Sequence, residues 1–178
     1  MSFILQASNP AVRRPTHADG GDLSSAVTRV FAASTEDAVL TWNGVAVLLS
    51  YNGNLGEILP EVLDMLEACT AASSGDQLVR FGSTSFRAHW HLRWGAGQLA
   101  LDGRWSSVRG GYEALLNERP TMALPLDEFL AEWKAVLVCI MRAIDAGGVK
   151  LEAGDDRLDR LRVLVTGLPA GGRRYRNA

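Results

Sequence analysis

The chain has 178 residues, of which 47% are hydrophobic and 21% charged, and its formal net charge is −2. That length suits one domain able to bury a core without metals or disulfides. The balanced charge argues against a nucleic-acid binder, and no apolar run approaches the roughly 20 residues of a membrane span.

The first residues, Met-Ser-Phe-Ile-Leu-Gln, lack the basic start and long apolar stretch of a signal peptide, which points to a cytoplasmic protein. Residues 1–22 hold a short apolar segment and then a Pro/Gly-rich stretch, so they read as a mobile arm or an edge strand. Residues 27–33 carry β-branched and aromatic side chains and are expected to form a strand.

Trp42-Asn43-Gly44-Val45 is the strongest local signal. Asn-Gly between two β-prone runs favours a two-residue hairpin turn, because both residues tolerate positive φ. That register sets Trp42 against Val45 and Leu40 against Val47. Asn52-Gly53-Asn54 breaks the second strand. Leu55, Ile58, Leu59, Val62, Leu66 and Cys69 then recur at helical spacing, predicting a helix that starts near Pro60 and runs to about Ala71. Residues 72–77 read as a polar link.

Residues 86–94 alternate. Phe86, Ala88, Trp90, Leu92 and Trp94 point to one side, and Arg87, His89, His91 and Arg93 to the other. After Gly95-Ala96-Gly97, an even-residue turn sets Leu99, Leu101 and Trp105 on the apolar side and Arg104 on the cationic one. A short helix is expected within 110–119, the longest helix over 125–146, and a last helix over 155–165. Between 135 and 141 the long helix is apolar nearly all round, so it should be the most buried. Residues 171–178 form a basic tail. Cys69 and Cys139 fall inside predicted helices and read as reduced thiols.

Strands first and helices later predict an α+β fold, an antiparallel sheet with helices packed mainly on one face, formed by a single domain over 23–170.

The residues favour a non-catalytic chain. There is no Gly-x-Ser-x-Gly elbow, phosphate-binding glycine motif or cofactor signature. His89 and His91 share a strand face, with Asp102 on the next strand, and are the metal candidates. Against a metal stand Arg87 and Arg93. At roughly 7 Å and an effective dielectric near 20, each opposes a divalent ion by a few kcal/mol. The strip Arg87, His89, His91, Arg93 and Arg104 therefore reads either as a solvated sheet face with paired acids or as a partner-binding face for a carboxylate-rich or phosphate-bearing partner. All five tryptophans are expected in the core.

A chain-wide pattern accompanies these elements. It runs from the hairpin Trp42-Asn43-Gly44 to Ser50-Tyr51, through Ile58-Leu59-Pro60 and the Trp90, Trp94, Trp105 hairpin, to Phe129-Leu130-Ala131-Glu132-Trp133-Lys134. Over about residues 36–175 the chain resembles small bacterial immunity proteins that partner secreted polymorphic toxins. The resemblance implies a protein that binds its cognate toxin and occludes the active surface. It carries over no functional residue, because such surfaces diverge with each toxin. Two alternatives remain: an enzyme with a dispersed site at His89, His91 and Asp102, and a structural or homo-oligomerising domain.

Overall fold

In the computed structural model, which describes residues 2–15 and 21–170, two antiparallel sheets and five α-helices share one hydrophobic core. The first sheet holds β1 (Phe3–Gln6), β2 (Ala38–Trp42) and β3 (Val45–Leu49) in the order β1-β2-β3. The second holds β4 (Gly75–Gly82), β5 (Phe86–Gly95), β6 (Gln98–Val108) and β7 (Thr121–Pro125) in chain order. The α+β class stands, but the strands divide between two sheets where one was expected.

The β2–β3 hairpin follows its local chemistry. Asn43 and Gly44 take φ of 48° and 86°, Trp42 faces Val45, and Leu40 faces Val47. The β5–β6 turn repeats the device with Ala96 and Gly97, both at positive φ. Leu99 thus lies opposite Trp94, and Leu101 opposite Leu92.

Residues 27–33 were expected as a strand, yet α1 spans Leu23–Val30. Leu23, Ala26, Val27 and Val30 recur at helical spacing and are all buried, and the Asp22 side chain accepts from the Ser25 N–H at the N-terminus. Burying that stripe outweighs the β preference of its valines. Gly56 lets the neighbouring helix approach, since a Cβ there would sit 3.3 Å from Val27.

That neighbour, α2 (Gly56–Ala71), begins four residues before Pro60, directly after a π-helical turn at Tyr51–Leu55. The polar link of 72–77 is in part the start of β4, and β7 was likewise unforeseen. α3 (Glu113–Asn117), α4 (Leu126–Gly147) and α5 (Arg157–Gly167) lie where periodicity sets them.

Residues 3–6, within the expected arm of 1–22, are the edge strand β1. Glu132 of α4 accepts from the Leu5 N–H at 2.6 Å, shielding that sheet edge. The expected basic tail, 171–178, lies outside the described residues.

Packing joins the two sheets through aromatic rings. Trp42 of β2 contacts Trp90 and Trp105, Phe3 of β1 contacts Trp90 and Phe129, and Trp90 contacts Trp133 of α4. All five tryptophans are buried. One face of the second sheet is thereby the wall of the core, and the other is left open.

Candidate functional site

The open face of the second sheet is set by period-2 geometry along β5. Phe86, Ala88, Trp90, Leu92 and Trp94 are buried; Arg87, His89 and Arg93 are exposed and His91 is half-buried. Arg104 on β6 is exposed beside them, directly opposite His89. All five expected surface residues therefore share one face.

β4 adds residues that the sequence did not reveal. Its register sets Arg80 opposite His89, Leu78 opposite His91, and Asp76 opposite Arg93. Val79 and Phe81 alternate with Arg80 just before the Ser83-Thr84-Ser85 turn, and this short alternation was the signal available.

Charge is unevenly matched across the face. His91 Nε2 lies 2.8 Å from Asp76 Oδ1, diagonally across the β4–β5 pair. Arg104 Nε lies 3.7 Å from Asp102 Oδ1, an ion contact too long for a hydrogen bond, and that oxygen has no donor among the described residues. Arg87 Nε donates to the Ser83 carbonyl at 3.4 Å. Among the described residues, no carboxylate lies within ion-pair distance of Arg80, Arg87 or Arg93.

The register brings Asp102 opposite His91 but sets His89 opposite Arg104, and His91 already holds Asp76. Among the described residues no three His, Cys, Asp or Glu side chains gather as a metal site would need.

Two hollows lie elsewhere, along α5. One, of about 440 Å³, is lined by Glu67, Thr70, Asp159, Arg160, Val163 and Leu164 among others. The second, of about 530 Å³, is bordered by Asp64, Glu152, Asp155, Asp156, Arg157 and Arg160. Neither contains a histidine. Arg160 spans them, donating to both Glu67 oxygens at 3.0 and 2.6 Å and to Asp64 at 2.5 Å. These carboxylates hold its guanidinium protonated above the usual arginine range.

Cys69 and Cys139 are free thiols. Burial pushes Cys69 up to about 11 and Tyr51 up to about 12, conditions opposite to those of an activated nucleophile. Among the described residues no helix is long and apolar enough to cross a membrane.

No family model matches the chain, and no curated protein or solved structure matches it.

Proposed function

We propose that this chain is a non-catalytic protein-binding module of the immunity type, which binds and neutralises a cognate bacterial toxin in the cytoplasm. The observation that carries the reading is the open face of the second sheet. Arg87, His89, His91, Arg93 and Arg104 stand together on a rigid surface whose opposite side is the aromatic core. Such a face can grip carboxylates through guanidinium forks without rearranging. The enzyme alternative has less support, because the histidines stand on an open sheet face and His91 is engaged by Asp76.

A structural or homo-oligomerising role has one observation in its favour. The outer face of the first sheet carries Ile4, Gln6, Val39, Thr41, Ala46 and Leu48, with no charge among them. Light scattering tests it, and a monomer at high micromolar concentration removes it.

The toxin reading is tested by expressing the neighbouring gene's product with and without this chain. The expected result is a stable complex and loss of the neighbour's toxicity. Full toxicity in the presence of excess chain, with no complex, overturns the reading.

A further inference from the structure

The open face divides into a neutral end and a cationic end, and we propose that the cationic end, centred on the cross-strand row Arg80–His89–Arg104, is the site that takes a carboxylate-bearing segment of a partner protein. This deepens the protein-binding reading and rests on it.

The division follows from the strand register. At one end Asp76 faces Arg93 and is bonded to His91, so the positive charges there have a carboxylate in their midst. At the other end Arg80, His89 and Arg104 stand directly opposite one another across three strands. Arg87 follows one row on, between Gly82 and Ser107. Among the described residues the one carboxylate within ion-pair distance of these four is Asp102, 3.7 Å from Arg104; Glu57, near the Ser83–Ser85 turn, is engaged by the Thr84 N–H at 2.9 Å. Arg80 and Arg104 stand one strand away on either side of His89, so an anion placed over the row is attracted by two guanidiniums at once.

The spacing fits carboxylates presented in pairs. Strands lie about 4.8 Å apart, so the backbones under Arg80 and Arg104 are separated by roughly 10 Å. Two guanidinium forks leaning inward meet carboxylates about 6–7 Å apart, the separation of residues i and i+2 on a strand or i and i+4 on a helix.

Protein is favoured over nucleic acid on two grounds. Single-stranded nucleic acid binds through exposed aromatic rings as well as cations, and the rings carried by β4, β5 and β6 (Phe81, Phe86, Trp90, Trp94 and Trp105) are all buried. Leu78, 52% exposed, stands beside His91 and offers a protein partner an apolar contact.

The test is titration of the isotopically labelled full chain at low ionic strength with a blocked hexaglutamate peptide, followed by NMR. Inorganic phosphate and an oligothymidylate serve as comparison probes. The peptide should shift the resonances of Arg80, His89 and Arg104 and leave those of α5 in place. The double variant Arg80→Gln/Arg104→Gln should weaken it roughly tenfold or more, as expected for two charge-assisted contacts, whereas Arg93→Gln should change it less than about threefold. An unchanged spectrum outside the site and an unchanged melting temperature establish that the variants are folded.

The proposal is overturned if hexaglutamate does not bind, if the shifts map elsewhere, if the double variant binds as well as the native chain, or if oligothymidylate binds more tightly. Phosphate binding as tight as that of the peptide also overturns it, because the site would then hold a simple anion. Peptide capture by this row without any toxin partner removes the immunity reading and leaves the site. A neutralised toxin whose binding ignores the double variant removes the site and leaves the immunity reading.

Discussion

The indole of Trp42 lies 5.1 Å from that of Trp90, which ties the first sheet to the second. Trp42 Nε1 also donates to the Arg119 carbonyl at 3.0 Å, and Asn43 Nδ2 donates to the same oxygen at 2.9 Å. Trp42→Ala should therefore lower stability by roughly 3–5 kcal/mol, the usual range for emptying a buried aromatic site. Trp42→Phe keeps most of the packing, and Asn43 still satisfies the carbonyl, so it should cost less. Urea denaturation measures both, and equal losses would mean that the hydrogen bond outweighs ring contact.

Two glycines resist substitution for different reasons. Gly44 has φ of 86° and open space where a Cβ would stand, so Gly44→Val suffers from backbone strain alone, on the order of 1 kcal/mol or more. Gly103 lies under the tryptophans, and a Cβ there would stand 2.8 Å from the Trp42 ring and 2.9 Å from Trp105 Nε1. Gly103→Ala should cost about 1–3 kcal/mol through overpacking. Combining Gly103→Ala with Trp42→Phe should recover part of that loss, whereas Gly44→Val should show no such coupling. Melting temperatures of the single and double variants check this.

Acid should weaken the protein through Asp22 and Asp155. The Ser25 side chain and N–H hold the Asp22 carboxyl below its ordinary 3.8, and the Arg157 guanidinium does the same for Asp155. A carboxyl depressed by folding contributes stability that is full above about pH 4 and lost as pH falls through the folded value. Asp22→Ala should cost about 1 kcal/mol at neutral pH, as for other N-caps. The gap from the native chain should narrow as the pH falls below about 4. A constant difference across that range would show that the carboxylate charge has no part in the cap.

Cys69 should be inert in the folded chain. Burial raises its thiol to about 11, so at pH 8 almost none is thiolate, and access is closed as well. A thiol reagent at pH 8 should modify Cys139 first, since it is half-buried, and Cys69 only on unfolding. Equal labelling rates in the native state would contradict the burial of α2.

Charge reversal separates the two ends of the open face in any complex. Arg104→Glu should slow association and change its salt dependence more than Arg93→Glu does, because Arg93 already lies opposite Asp76. Stopped-flow rates at two salt concentrations measure this, and equal effects would mean that the whole strip along β5 acts as one surface.

Local chemistry was legible from the residues. Asn43-Gly44 specifies its turn by backbone preference, the alternation from Phe86 to Trp94 separates buried rings from Arg87, His89, His91 and Arg93, and the stripe from Phe129 to Ile144 marks α4. Each signal depends on neighbours a few residues apart. In α1, Val27, Val30 and Phe31 favour a strand one by one, and packing against α2 decides for the helix. β4 and β7 are the outer strands of the second sheet, and their ladders form with β5 and β6, a pairing that the local pattern does not distinguish. The sequence by itself determined which side chains of β5 face out. Only the tertiary structure decided that Arg80 and Arg104 flank His89 while Asp76 pairs with His91, because strand order and register arise from contacts between distant segments.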